Sequence, residues 1–221
     1  MTITEEYKTR PEITKVLSLS IQKHINPKND TRIYLAKEVT FDYATGHAVR
    51  VDFMQFKPVN NSVSGIEKGD FYCYEVKSSV EDFHSKNGHN FIGDYNYYVM
   101  PKEVYAAVSK EIPYYVGVYV PDSKNYEGEW YNLRCVSKAR KRDRIRPIHE
   151  MLFMMFLSCA REVYKYEKNE KEKMLSAISV FSEVSIDTLT ETYDKIVFMY
   201  RIMLNVPIEE YPIEKLSKLI P

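Results

Sequence analysis

The apolar and polar positions of this chain switch between two periods, and the switches predict its elements. Residues 11–25 carry apolar side chains at the spacing of one helix face, so a helix is expected there. Residues 33–41 and 48–56 alternate between apolar and polar side chains, which predicts two strands. A third alternating run covers residues 71–77. The Asn-, Ser-, Gly- and Pro-rich connection at residues 58–69 predicts that this run forms an antiparallel hairpin with the strand before it.

The next part of the chain follows a strand–helix–strand order. Residues 94–100 form a predicted strand that stops at Pro101, and residues 102–112 form a predicted helix. Residues 114–120 are almost wholly apolar, as in a strand that is covered on both faces of a sheet. This order predicts a βαβ crossover between parallel strands, with a further edge strand at residues 133–136.

Beyond residue 146, helical spacing replaces alternation. A charge-mixed stretch at residues 165–173 indicates an exposed helix end and a turn. Three helices are predicted around it, at residues 148–166, 173–184 and 185–204. We therefore expect an α/β protein with a core at residues 1–146 and a helical cap or extension at residues 147–221.

Charged side chains interrupt the third alternating run. Alternation places Glu75 and Lys77 on one face of that strand. Burying a carboxylate and an ammonium group two residues apart is costly unless they pair, hold a metal or do chemistry. Asp52 lies in the strand before, and pairing of the two strands could bring it to Glu75 and Lys77.

These residues resemble a known superfamily. An Asp on one strand followed by Glu-x-Lys on the next is the pattern of the PD-(D/E)XK nucleases, and over residues 33–120 the chain is most similar to their MmcB-like branch, which is linked to DNA repair in bacteria and phages. The matching segments are Arg50-Val51-Asp52, Glu75-Val76-Lys77, Ser79, Asp82-Phe83 and residues 95–101. Two departures stand out. Val51 occupies a position that is often Pro, and Ser85-Lys86-Asn87 replaces the Asp-x-Lys-Trp segment of the branch.

The resemblance implies a restriction-endonuclease-like αβββαβ core with a mixed central sheet. It also implies a metal-dependent nuclease that hydrolyses phosphodiester bonds in DNA, in repair or in the processing of phage and mobile-element DNA. Asp52, Glu75 and the Val76 carbonyl would hold Mg²⁺ or Mn²⁺. Lys77 would orient or deprotonate the attacking water, or offset charge that builds on the phosphate.

Acidic residues near the proposed site have two interpretations. In the superfamily the first helix sometimes adds an acid to the active site, and Glu12 is the best-placed candidate, with Glu6 second. The alternative is that both are exposed acids stabilised by the helix N-terminal dipole. Ser79 followed by Asp82 fits a capping box, so we expect a helix directly after the third strand, with Asp82 in its cap.

Candidate contacts to nucleic acid lie in two places. Lys86, Asn87 and His89 belong to a polar, Gly-containing loop that could touch the scissile phosphate. Residues 134–146 form a dense basic stretch that could bind DNA or RNA phosphates, the alternative being a solvated linker. The candidates within it are Lys138, Arg140, Lys141, Arg142 and Arg144. His84 and His89 lack a third His or Cys nearby, so a zinc site is not expected.

Composition narrows the setting. The 221 residues have a formal net charge of zero, so any affinity for polyanions must come from a local patch. The three cysteines are far apart and form no CxxC pair, which favours a reducing compartment. The N-terminus does not read as a signal peptide, and the longest apolar run, residues 151–157, is too short to span a bilayer. We expect a cytoplasmic protein without a membrane partner.

Three other functions fit the same residues. The chain could be a nucleic-acid-binding protein that keeps the nuclease fold without turnover. It could be a structural or assembly protein in which Glu75 and Lys77 form a buried ion pair. It could also act on RNA instead of DNA. The helical tail is suited to a homodimer contact in any of these cases.

Overall fold

A computed structural model describes residues 2–43, 45–125, 128–130, 132–182, 186–188 and 190–195, except for the side chains of residues 174 and 177–182. The chain divides into two compact units, Met1–Glu162 and Val163–Pro221. This division falls later in the sequence than the predicted one after residue 146. The assignment of the two parts as core and cap stays a prediction.

A mixed sheet of six strands organises the first unit. In chain order these are β1 (Tyr34–Phe41), β2 (Val49–Lys57), β3 (Asp70–Val76), β4 (Tyr95–Val99), β5 (Gly117–Ser123) and β6 (Asn132–Ser137). Their order in space is the same as in the chain. The pairs β1–β2, β2–β3 and β5–β6 are antiparallel, whereas β3–β4 and β4–β5 are parallel. The predicted α/β class, the mixed sheet and the β2–β3 hairpin are confirmed.

The helices are α1 (Ile3–Glu6), α2 (Arg10–Ile25), α3 (Val63–Glu67), α4 (Val80–Phe83), α5 (Lys102–Val108) and α6 (Ile148–Ser182). Helix α5 joins the parallel strands β4 and β5, as predicted. Helix α3 was not predicted, because it is a single short turn within a polar connection. Strand β5 begins three residues later than expected, since Val116 N–H donates to the Pro113 carbonyl at 2.9 Å and closes a turn there.

The predicted turn at residues 165–173 is wrong, because α6 continues through it to Ser182. The stretch contains no Gly or Pro, and its charges stabilise the helix by pairing across one turn. Lys168 pairs with Glu172 at 3.9 Å and Lys173 with Glu170 at 2.9 Å. Of the helix predicted at residues 185–204, residues 186–188 and 190–195 are helical and the rest lies outside the described residues.

Helix α2 packs on one face of the sheet. Its Ile13, Leu17 and Ile21 are buried, at the spacing that predicted the helix. They share a core cluster with Phe53 of β2 and Tyr74 of β3. This packing fixes the start of α2 close to the end of β3.

The opposite face of the sheet carries the alternate residues of the same strands. Met54 and Cys73 lie next to Phe53 and Tyr74 in sequence and therefore point the other way. They form a cluster with Met151 and Met155 of α6.

Helix α6 also closes one edge of the sheet. Strand β1 stands first in the strand order, so among the described residues its outer edge has no neighbouring strand. Ser158 Oγ donates to the Lys37 carbonyl, and Arg161 Nη2 donates to the Glu38 carbonyl at 2.8 Å. The outward carbonyls of β1 are thereby paired with side chains of α6.

Within the described residues, none of the helices combines the length and the apolar character needed to cross a membrane.

Candidate functional site

The site begins where β2 and β3 separate. Their paired residues end at Phe53 and Tyr74. Just beyond this pair, the Asp52 carboxylate takes the place of a backbone partner, because its Oδ2 accepts a hydrogen bond from the N–H of Val76, two residues after Tyr74, at 2.9 Å. Asp52 therefore lies between the two strands and beside Glu75, as the alternation of both strands suggested.

Glu75 and Lys77 are almost fully buried, with 5% and 2% of their surfaces exposed. The Lys77 backbone N–H donates to the Val99 carbonyl at 2.9 Å, which fixes the end of β3 against β4. The Lys77 Nζ donates to the carbonyl oxygens of Asp82 at 3.1 Å and Asn87 at 2.5 Å. Its hydrogen bonds thus go to main-chain carbonyls instead of the Glu75 carboxylate.

Burial shifts the protonation of all three side chains. It raises the pKa of Glu75 well above the usual range, and the negative charge of Asp52 raises it further. Burial also raises the pKa of Asp52 and lowers the pKa of Lys77. Two buried carboxylates repel each other when both are ionised. A cation placed between them stabilises their ionised forms.

The donor set fits a hard divalent ion that keeps much of its water. In the part of the chain that the structure describes, no group of three or more His, Cys, Asp or Glu side chains could hold a metal. That excludes a closed site for zinc among these residues. Mg²⁺ is commonly held by one or two carboxylates together with water and substrate phosphates. Asp52, Glu75 and the Val76 carbonyl can provide the protein oxygens of such a site.

A loop covers these side chains. We call residues 85–90 the covering loop. Gly88 in this loop has a φ of +72°, and a Cβ atom built on it would lie 3.0 Å from Lys77 Nζ and 3.1 Å from Glu75 Oε2. Asn90 Nδ2 donates to the Arg50 carbonyl at 3.0 Å and ties the loop to β2. The main chain of the loop therefore packs directly on the buried side chains of Glu75 and Lys77.

His89 holds the covering loop and does not face outward. Its Nε2 lies 2.8 Å from the Phe83 carbonyl and 3.1 Å from the Ser85 carbonyl, and since carbonyls only accept, Nε2 carries the proton. Its Nδ1 lies 2.5 Å from the hydroxyl of Tyr98. Both ring nitrogens of His89 are therefore occupied within the protein, and its predicted contact with nucleic acid stays a prediction.

The side chains of Lys86 and Asn87 are exposed on the covering loop. Their predicted contact with nucleic acid stays a prediction. The backbone of Asn87 already has a role in the site, through its carbonyl bond to Lys77 Nζ.

A helix begins soon after β3, as predicted, with Ser79 as its N-cap, but the predicted capping box is not completed because the Asp82 carboxylate accepts from Ser78 N–H instead of Ser79 N–H. The Asp82 backbone N–H donates to Ser79 Oγ at 3.1 Å. Its carboxylate accepts hydrogen bonds from Ser78 N–H at 3.0 Å and from Arg10 Nη2 at 2.5 Å. Arg10 is a residue that the sequence did not indicate, because nothing in the first turn of α2 shows which side chain points toward β3.

The structure does not bring Glu12 to the other proposed catalytic residues. Its Oε2 accepts hydrogen bonds from Thr9 N–H at 3.0 Å and Thr9 Oγ1 at 2.8 Å, which completes a capping box at the start of α2. These hydrogen bonds lower the pKa of the exposed Glu12 carboxyl. Glu6 contacts Lys124 at 2.8 Å and Trp130 Nε1 at 2.7 Å. Of the two interpretations of these acids, the geometry favours the one in which neither is catalytic.

Much of the basic stretch is used to hold the fold. Arg144 Nε lies 3.2 Å from the buried carboxylate of Asp94, and Lys141 Nζ lies 2.6 Å from Asp70. The guanidinium group of Arg144 is largely buried in this pair, and its predicted contact with nucleic acid stays a prediction. Lys138, Arg140 and Arg142 are exposed, and the described part of the chain shows no ion pair for any of the three.

Comparison with known proteins adds little to this geometry. No family model matches the chain, and no curated protein matches it. A solved structure that it resembles is a protein of unknown function from Silicibacter pomeroyi, SPO1766, with 19% sequence identity and a TM-score of 0.47. The match covers 71% of this chain and 92% of that one.

Proposed function

We propose that this chain is a metal-dependent nuclease that hydrolyses phosphodiester bonds in DNA. The observation that carries the proposal is the meeting of Asp52, Glu75 and Lys77 at the point where β2 and β3 separate. Two carboxylates and one amine with pKa values shifted by burial are the groups that such a reaction needs. All three cysteines are free thiols, which supports a cytoplasmic setting as part of the proposal.

Each side chain has a separate role in the proposed reaction. Asp52 and Glu75 bind the divalent ion, with the Val76 carbonyl as a third oxygen. When bound, the ion supplies Lewis-acid polarisation of the scissile phosphate. Lys77, whose pKa is lowered by burial, is suited to exchange a proton with the attacking water or to offset charge on the phosphate. The carbonyls of Asp82 and Asn87 hold its Nζ in place.

A specific observation also favours a second candidate. Glu75 and Lys77 are nearly inaccessible beneath the covering loop. A protein that binds nucleic acid without cleaving it would be compatible with a closed site. The two candidates differ in whether Asp52 and Glu75 matter for anything beyond folding.

Thermal melting with and without divalent ions separates them. Mg²⁺ or Mn²⁺ should raise the Tm of the wild type, because an ion that binds only the folded state stabilises it by about 2.7 kcal/mol at 100 times its Kd. The Glu75→Gln and Asp52→Asn variants should lose this response. The Glu12→Gln variant is the matched control, since it removes an acid that lies in the α2 capping box.

Cleavage assays complete the test. Single-stranded, double-stranded and branched DNA, and RNA of the same sequences, are incubated with Mg²⁺ or Mn²⁺. The wild type and Glu12→Gln should cleave at least one of the DNA forms, and Glu75→Gln should cleave none. Normal cleavage by Glu75→Gln would refute the mechanism. A wild type with no ion-dependent Tm shift and no cleavage would favour the binding protein, and cleavage of RNA alone would identify the other substrate.

A further inference from the structure

Two tyrosine–arginine pairs stand side by side at the start of β5. The Arg140 guanidinium lies 5.3 Å from the ring centre of Tyr114, and the Arg142 guanidinium lies 4.0 Å from that of Tyr115. Tyr114 is 77% exposed. We call these four residues together with Lys138 the Tyr–Arg surface. It presents aromatic faces and positive charge at the same place.

The backbone holds this surface in shape. Arg140 N–H donates to the Tyr115 carbonyl at 3.0 Å, and Arg142 N–H donates to the Asp94 carbonyl at 2.9 Å. The segment is therefore attached to the residues that precede β5 and β4. A site whose backbone is already ordered loses less conformational entropy when it binds a ligand.

No ion pair with an acid is seen for the charges of the Tyr–Arg surface in the part of the chain that the structure describes. Lys141 and Arg144, in the same basic stretch, are paired with Asp70 and Asp94. Within the described ranges Lys138, Arg140 and Arg142 have no carboxylate partner. Because the whole chain has no net charge, these cations form the kind of local patch that an anionic strand requires.

Ring contacts link the Tyr–Arg surface to the proposed site. The Tyr115 ring lies 5.8 Å from that of Phe91, which lies 5.7 Å from that of Tyr98. Tyr98 is the register partner of Glu75 across β3 and β4, and its hydroxyl contacts His89 of the covering loop. The Phe91 ring also lies 6.2 Å from that of His89, so one aromatic ring separates Tyr115 from the covering loop.

We propose that the Tyr–Arg surface binds single-stranded nucleic acid and guides it to the site. An unpaired base would stack on the exposed Tyr114 ring, while Lys138, Arg140 and Arg142 bind phosphates. The half-buried Tyr115 ring packs against Phe91 and holds Arg142 in place. Aromatic stacking needs a base whose face is free, which a duplex does not offer. Because it names the form of the substrate, this inference rests on the proposed function.

Fluorescence anisotropy with labelled oligonucleotides tests the inference. The full chain is titrated against a single strand and the matching duplex in EDTA, so that no cleavage occurs. The wild type should prefer the single strand. Tyr114→Leu should weaken single-strand binding by about 5- to 150-fold, the usual effect of losing one stacked base. Arg142→Gln should make the slope of log K for binding against log salt concentration less negative by about 0.7, because one phosphate contact is lost.

Arg134→Gln is the matched control. Arg134 lies in the same basic stretch but pairs with Asp122 at 3.2 Å, so its removal should leave affinity and salt slope unchanged. Circular dichroism checks that each variant is folded. Equal affinity for duplex and single strand, or wild-type binding by folded Tyr114→Leu, would overturn the inference.

The inference and the proposed reaction fail separately. If the wild type cleaves DNA but the Tyr114→Leu variant binds single strands normally, the substrate reaches the site by another route. The proposed role of the Tyr–Arg surface is then rejected. A protein that binds single strands through this surface but never cleaves supports the inference and rejects the reaction.

Discussion

The Gly88→Ala substitution would place a methyl carbon 3.0 Å from Lys77 Nζ and 3.1 Å from Glu75 Oε2. Two effects should destabilise the variant. The φ of +72° costs a residue with a side chain about 1–2 kcal/mol. The crowded methyl group should cost about 1–3 kcal/mol more, as overpacking of a buried site usually does.

Gly128→Ala separates the two effects. Gly128 has a similar φ of +83°, but a Cβ atom built on it meets nothing within 4 Å. The Gly128→Ala variant should therefore lose only the backbone part of the free energy of unfolding. Gly46→Ala, with open space and no φ in the left-handed region, should be close to the wild type.

Urea unfolding of the three variants measures the difference, and thermal melting supports it, because each kcal/mol lowers the Tm of a chain of this size by about 2–4 °C. If Lys77 acts in the proposed reaction, Gly88→Ala should also lose cleavage while Gly128→Ala retains it. Should Gly88→Ala and Gly128→Ala agree within about 0.5 kcal/mol, the covering loop does not rest on Glu75 and Lys77 and the reasoning is refuted.

Changes of charge test the buried and exposed groups separately. Because the pKa of Glu75 is raised in the folded state, the stability that its proton contributes is fully present below the usual pKa of 4.5 and is lost as the pH rises through the folded-state pKa. Glu75→Gln should therefore melt above the wild type at neutral pH in EDTA, with a gap that closes toward pH 4.5; a gap that does not vary with pH contradicts this. Arg144→Gln should cost about 3–5 kcal/mol in urea unfolding by leaving the buried Asp94 unpaired. Arg134→Gln, from an exposed pair, should cost less than about 1 kcal/mol. Glu12→Gln should cleave at the wild-type rate, and a large loss would return Glu12 to the site.

Alternation and helical spacing predicted most of the first unit. Helix α2 buries one regular set of side chains, and β2 and β3 bury alternate residues in the clusters on the two faces of the sheet; such periods are visible in sequence. Helix α6 was divided wrongly because charged residues 165–173 looked like a turn. Ion pairs along one helix face depend on spacing that mixed charge alone does not reveal.

Part of the candidate site was also predictable, because the alternation of strand residues is visible in the sequence. Asp52 and Glu75 meet because both lie in neighbouring paired strands, which their alternation indicated. The covering loop was not predictable, since a glycine with positive φ and a carbonyl bond to Lys77 depend on the fold of residues 85–90. The structural role of Arg144 was not predictable, because its partner Asp94 lies 50 residues away in sequence and meets it only in the folded chain.

The contact of α6 with β1 limits how this protein can associate. An open strand edge invites a strand from another molecule, either as a regular dimer contact or as the first step of aggregation. Here the Lys37 and Glu38 carbonyls are already taken by Ser158 and Arg161. A second molecule would have to displace the start of a 35-residue helix before it could add a strand at this side. The helix thus acts as a guard against continuous sheets across molecules, quite apart from any catalysis.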